Sequence, residues 1–210
     1  MADLSVIVLA GGASRRMGQN KALLTTSDGE TLIGRVVRNL RPLTDDLIVV
    51  SNEPDLYAHL DVRLTGDVYL RMGPLAGLHA GLGVARHPWA LAVACDMPLV
   101  NHRLVRYMVL LRAGHQAVVP RRGEHVEPLH ALYHRSCLPA VEERLEAGDL
   151  RMISFYPAVA VRYVEEAEIA LFDPEGLTFA NANTPEDWER LRRALERGQA
   201  ADGCTRAGRP

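Results

Sequence analysis

The 210-residue chain is poor in cysteine, lysine and aromatic residues, and it contains no long apolar run. Its three cysteines, Cys95, Cys137 and Cys204, are odd in number and widely spaced. That excludes a disulfide framework and points to reduced thiols in a cytoplasmic setting. No stretch approaches the ~20 consecutive apolar residues of a membrane-spanning helix, and the start, Met1-Ala2-Asp3-Leu4, lacks the basic region of a signal peptide. A net charge of −2 gives no surplus of positive charge for holding nucleic acid or a membrane surface. At 48% hydrophobic and 24% charged residues, the chain is too apolar for disorder and has enough material for a real core. Lysine is scarcest of all: of 24 basic residues, 23 are arginine and one, Lys21, is lysine. A compact ammonium beside phosphates is not equivalent to a guanidinium fork, so its position matters.

What is present is an alternation of strands and helices. The run from Ser5 to Ala10 is apolar and β-branched and ends at Gly11-Gly12, the pattern of a buried strand entering a glycine turn. Residues 31–40 carry apolar side chains at helical spacing and stop before Pro42. Residues 47–50 and 89–94 read as further buried strands, 117–120 as a short one, and 75–85 and 104–111 as helices. This order predicts an α/β fold, with helices on both faces of a mostly parallel sheet. In the second half, 128–134 and 158–164 read as strands and 137–145 as an amphipathic helix. Thr184-Pro185-Glu186-Asp187 opens a last helix with an N-cap, a first-turn proline and acids near the N-terminus. Residues 198–210 lack periodicity and are expected to be a disordered tail. Without an internal repeat or linker, residues 1–197 read as one domain.

The first chemical candidate is the loop after the first strand. Between Leu4 and Ser27 there is no acidic residue, while Arg15, Arg16 and Lys21 contribute three positive charges. Ligands of such sheets bind beyond the carboxyl ends of the strands, where small residues let backbone N–H groups reach phosphate oxygens. The spacing is neither a G-x-x-x-x-G-K-[ST] loop nor G-x-G-x-x-G, and a surface turn with solvated arginines is the alternative reading. The second candidate is Asp96, directly after the strand 89–94. One carboxylate together with substrate phosphates is a common way to hold Mg²⁺; a turn or capping aspartate before Met97-Pro98 is the alternative. Asn181 and Asn183, at i and i+2 on an extended segment, would face one way and grip a metal, phosphate or sugar, or serve as turn residues. His130 and His134 do not suggest zinc, because their segment reads as a strand and lacks the helical spacing that paired histidine ligands need. Cys95 reads as a small core residue.

Taken in order, Leu9 to Leu24 (LAGGASRRMGQNKALL), Gly73 to Leu82 (GPLAGLHAGL), Ala94 to Leu99 (ACDMPL), Glu127 to Tyr133 (EPLHALY) and Phe179 to Trp188 (FANANTPEDW) resemble the molybdenum cofactor guanylyltransferases. The resemblance spans about residues 4 to 195, and departs at Asn20, where the family usually has aspartate. It implies a Rossmann-like three-layer α/β/α nucleotidyltransferase fold, and an enzyme that moves GMP from Mg-GTP to the terminal phosphate of molybdopterin and releases pyrophosphate. By the same resemblance Leu9, Ala10, Gly11 and Gly12 would cradle GTP, and Arg16 and Lys21 would neutralise its phosphates. Asn52 and Asp67 would contact the nucleotide, Gly73 and Gly77 would shape the base pocket, and Asp96 would hold Mg²⁺. Asn181 and Asn183 would lie towards molybdopterin, and cofactor-insertion chaperones are the protein partners it suggests. A cytidylyltransferase acting on the same acceptor, a sugar-phosphate nucleotidyltransferase and a non-catalytic nucleotide-binding module are the competing readings.

Overall fold

A computed structural model describes residues 3–11, 21–26, 28–182, 184 and 186–195. Its elements in chain order are β1 (Leu4–Leu9), α1 (Leu32–Leu40), β2 (Asp46–Val50), β3 (Arg63–Thr65), α2 (Gly73–Val84), β4 (Trp89–Ala94), α3 (His102–Leu110), β5 (Ala117–Arg122), β6 (His125–Val126), β7 (His130–His134), α4 (Leu138–Glu146), β8 (Val161–Glu165) and α5 (Glu166–Ala170). A last helix, α6, covers 186–195. The eight strands of the described residues share one sheet, in the order β3-β2-β1-β4-β7-β5-β6, with β8 also paired to β5. Pairs β1–β2, β1–β4, β2–β3 and β5–β8 are parallel; β7 runs antiparallel to β4 and β5, and β6 antiparallel to β5. The sheet is thus mostly parallel, as the strand–helix alternation predicts.

Alternation along the strands divides the core into two layers. Leu4, Val6 and Val8 of β1 face one side, with Val49, Leu91, Val93 and the apolar stripes of α1, α3 and α5. Ile7 and Leu9 face the other, with Ile48, Val50, Ala90, Ala92 and the helices α2 and α4. The stripe of α1 is the one its spacing predicts, and Thr31 caps it by accepting the Gly34 N–H at 3.2 Å. α2 is apolar on all sides and lies between the sheet and α4. Its approach depends on glycine: a Cβ at Gly81 would fall 2.5 Å from Ile7 Cγ2, closer than carbon atoms can pack.

The second half departs from simple alternation. β5 turns back through a tight hairpin at Gly123, whose φ of +58° suits glycine, and β7 then slots between β4 and β5 without a crossover helix. The strand expected over 158–164 begins only at Val161, because Tyr156–Ala158 forms a 3-10 turn around Pro157. Near the other end, α6 buries Leu191 and Leu195 against Leu32 and Ala182, and Thr184 and Asp187 exchange reciprocal capping bonds at 3.1 and 3.0 Å. The expected tail, 198–210, lies outside the described residues.

Candidate active site

The chain leaves β1 through α1 on one face to reach β2, and returns through α2 on the opposite face to β4, on the other side of β1. This reversal opens a crevice at the carboxyl ends of β1 and β4, where open α/β sheets bind ligands. The floor of the crevice is backbone. The Cys95 N–H donates to Leu9 O at 3.2 Å and the Ala10 N–H to Val50 O at 2.9 Å. The two strand ends are thereby held level, and Tyr57 reaches from behind to donate to Ala10 O at 3.4 Å. No described residue lies within 4 Å of where a Cβ of Gly11 would be. Gly12 and Arg16 lie outside the described residues.

Two charged side chains converge there from opposite ends of the N-terminal half. Lys21 lies in a single 3-10 turn, Lys21–Leu23, and is only 7% exposed. Asp96 follows β4 and is half-buried. Burial pushes the Asp96 carboxyl above the usual carboxylate range, while Lys21, the Asp96 backbone N–H and the Ala182 N–H pull it back down. The Ala182 contact brings the 180–182 segment to the same carboxylate, a backbone contribution that no side-chain motif announces. Beside Asp96, burial and the neighbouring carboxylate raise the Cys95 thiol to about 12, so it remains protonated, in line with its reading as a core residue rather than a nucleophile.

On the β2 side, Asn52 and Asp67 clasp each other: Asn52 Nδ2 donates to Asp67 Oδ2 at 2.9 Å, and the Asp67 N–H donates to Asn52 Oδ1 at 2.9 Å. Burial raises the Asp67 carboxyl, against the Asn52 hydrogen bond. Gly77 lies next to this pair; a Cβ there would sit 3.0 Å from Leu9 Cδ2 and 3.7 Å from Asp67 Oδ1. Gly73 opens α2 with φ +73°, and Pro74 takes the first helical turn, where a missing N–H is harmless. Leu9, Ala10, Gly11, Asn52, Asp67, Gly77 and the Lys21–Asp96 pair thus share the crevice, with Gly73 at its rim. Asn181 lies beside Ala182, and Asn183 is outside the described residues.

The histidines separate as a strand dictates. His134, at the far end of β7, bonds Ser136 Oγ at 2.8 Å through Nδ1. His130 is fully buried, meets the Phe179 ring edge-on at 5.2 Å, and has neither ring nitrogen hydrogen-bonded to a described residue. Among the described residues no group of three or more His, Cys, Asp or Glu side chains could enclose a metal. Of the two carboxylates that the described residues place there, Asp67 is engaged by Asn52, and Asp96, whose burial Lys21 only partly offsets, is the oxygen donor beside Lys21. That chemistry fits Mg²⁺ shared with substrate phosphates.

The model of the MobA-like NTP transferase domain matches residues 6–161. A molybdenum cofactor guanylyltransferase of Syntrophotalea carbinolica is 38% identical over 90% of this chain and 90% of that protein. One of Desulfosudis oleivorans is 34% identical over 92% of this chain and 96% of its own length. Among solved structures, a molybdopterin-guanine dinucleotide biosynthesis protein A from Archaeoglobus fulgidus superposes with a TM-score of 0.82 at 26% identity, over 94% of this chain and all of that one. The glycine-lined crevice, the Lys21–Asp96 pair and these likenesses agree: the chain is a nucleotidyltransferase and belongs to the MobA-like NTP transferases, in the molybdenum cofactor guanylyltransferase family.

Proposed function

We propose that this enzyme transfers GMP from GTP to the terminal phosphate of molybdopterin. The acceptor oxygen attacks the α-phosphorus, the bond to the bridging β-phosphate oxygen breaks, pyrophosphate leaves, and a phosphoanhydride joins the two halves of the dinucleotide. The observation that carries this reading is the buried Lys21 beside Asp96 at the open carboxyl edge of β1 and β4. A phosphate nucleophile has a second pKa near ~6 and is largely ionised at neutral pH, so the reaction needs no protein base. What it requires is positioning of two anions that repel each other and neutralisation of the charge that builds up.

The residues divide that work. Leu9, Ala10, Gly11 and Gly12 present backbone to the GTP phosphates, and Lys21 and Arg16 supply fixed positive charge. Asn52 and Asp67, locked to each other, offer one polar wall to the nucleotide, and Gly73 and Gly77 leave room for the base. Mg²⁺, held by Asp96 and the substrate phosphates, would neutralise charge on the phosphate oxygens during transfer. Asn181, next to the Ala182 N–H that reaches Asp96, and Asn183 are assigned to the acceptor half. The single sheet shared by all described strands supports one nucleotidyltransferase domain over residues 1–197. No helix of the described residues is long and apolar enough to cross a membrane, and the free thiols of Cys95 and Cys137 support a cytoplasmic location.

The test is Mg²⁺-dependent pyrophosphate release with GTP, CTP, ATP or UTP, with and without molybdopterin. Release with GTP, and only when molybdopterin is present, is the expected result. Preference for CTP moves the enzyme to the sister activity, and no release despite GTP binding refutes catalysis.

A further inference from the structure

Resting on that reading, we propose that Arg122 is the docking cation for the phosphate group of the acceptor, a residue that none of the shared motifs contains. β5 runs in the same direction as β1, because β7 is antiparallel to both β4 and β5. The end of β5 therefore lies at the same sheet edge as Leu9 and Ala94. Two arginines stand there and are used differently. Arg121 lies over the Tyr163 ring and forks onto Glu165, with Nε and Nη2 donating at 3.1 and 2.6 Å. Its donors on that side are taken.

Arg122 points to the opposite face and is held without being used up. Its guanidinium lies over the Phe179 ring, 5.2 Å from the centroid. Gly176 at φ +64° presses against it so closely that a Cβ there would be 2.8 Å from Nη1. Glu127 Oε1 lies 3.3 Å from Nε. Neither Nη group donates to any acceptor among the described residues, and the side chain is 42% exposed. A planar fork fixed at its back with its front donors open is suited to the oxygens of a phosphate.

Its location connects it to the reaction. Three residues beyond Phe179, the Ala182 N–H stabilises the Asp96 carboxylate. Three residues of even fully extended chain span no more than ~10 Å, which is short enough for one acceptor phosphate and the guanidinium stem to bridge. The acceptor must line up opposite the departing pyrophosphate, away from the glycine loop and Lys21, and this is the side on which β7, Phe179 and Arg122 lie. Burial raises the Glu127 carboxyl while Arg122 lowers it. Glu127 thus orients the guanidinium from its Nε edge and leaves the Nη edge to the ligand.

The experiment is steady-state kinetics of the full chain with GTP and molybdopterin varied separately. Arg122→Ala is expected to raise the molybdopterin KM by about 10–100-fold, the loss of charge-assisted hydrogen bonds to one phosphate. The GTP KM should stay within about twofold. Arg122→Lys keeps the charge but loses the planar fork on Phe179, so it should fall between. Arg122→Met retains the stem on Phe179 and guards against a folding artefact; it should match the alanine variant, with an unchanged melting temperature. A molybdopterin KM within about twofold of wild type in both the alanine and methionine variants overturns the assignment. So does a parallel rise of both KM values. Wild-type turnover with the two substrates tests the functional reading itself, whatever Arg122 does.

Discussion

Replacing Asp96 by asparagine separates the stability of the empty enzyme from its work. The side chain keeps its shape and an oxygen for the backbone N–H groups of Asp96 and Ala182, but loses its charge. In the fold, burial raises the Asp96 carboxyl even after the opposing pull of Lys21, so the net environment disfavours the ionised form. A carboxyl raised on folding binds its proton more tightly in the native state, and its ionisation destabilises the fold as pH rises through the folded value. At pH 7 the neutral asparagine therefore leaves the ligand-free protein at least as stable as wild type. This runs against the usual expectation that a substitution at a half-buried charged site destabilises by about 1 kcal/mol.

Ligand binding reverses the comparison. A ligand at 100 times its Kd stabilises by about 2.7 kcal/mol, and for a chain of this size each kcal/mol moves the melting temperature by about 2–4 °C. Mg-GTP should therefore raise the wild-type Tm by roughly 5–11 °C. In Asp96→Asn the Mg²⁺-dependent part of that shift should vanish, leaving what GTP alone provides, and turnover should fall by about 10²–10³, the scale of losing one electrostatic stabiliser of a transition state. Thermal melts with and without Mg²⁺ and GTP, read beside pyrophosphate release, check both halves. An undiminished Mg²⁺-dependent shift with turnover within a few-fold of wild type would make Asp96 an ordinary turn aspartate. A ligand-free Tm more than about 4 °C below wild type, some 1 kcal/mol, would refute the account of its burial.

Lys21→Ala should reduce kcat/KM for GTP by about 10²-fold or more while the protein stays folded, and Lys21→Arg should restore only part of it, because the fork cannot replace a compact charge in a nearly buried site; pyrophosphate release and circular dichroism decide. Gly81→Ala should destabilise by about 1–3 kcal/mol in urea with an unchanged m-value, despite alanine's helix advantage of about 1 kcal/mol, because its Cβ would meet Ile7 Cγ2 at 2.5 Å; equal or greater stability would show that α2 can move off β1. Burial lowers the His130 imidazole to about 4, so the unfolded chain takes up that proton first and the fold loses about 3 kcal/mol as pH falls from 6.5 to 4. His130→Leu should flatten this stretch of the stability curve, and an unchanged slope would refute it.

The parts of the fold legible in the sequence are those with a local cause. The run 5–10 could be read as buried strand because Ser5 to Leu9 lie buried inside the sheet, and the stripe of α1 because Leu32, Ile33, Val36, Val37 and Leu40 share one side of a helix. Thr184 announced a helix start because a cap is a contact across three residues. β3 was not legible: its three residues, Arg63–Thr65, are half-buried at the sheet edge and have no period to read. α5 is only five residues long and starts immediately after β8. The direction of β7 was equally hidden, since a strand covered on both faces has the same apolar pattern whether its neighbours run with it or against it. Arg35 is buried within α1, where periodicity alone would reject a cation; Asp28 and Glu30, from the loop before the helix, pair with it there.

The site divides along the same line. Its glycine turn and the acid-free stretch around Lys21 are local, so they stand out in a chain with a single lysine. Asp96 became a candidate because it ends a recognisable strand, yet its environment depends on Lys21, 75 positions earlier, and on Ala182, far later in the chain. Neither distance in sequence leaves a periodic trace; the parallel register of β1 and β4, and α6 docking on Leu32, bring the three together. Arg121 and Arg122 show the limit most sharply. They are adjacent, chemically identical and equally basic as text, and only the pleat, which sends one to Glu165 and the other to Phe179, leaves Arg122 with Nη donors that no described residue takes, at the edge where the proposed acceptor phosphate docks.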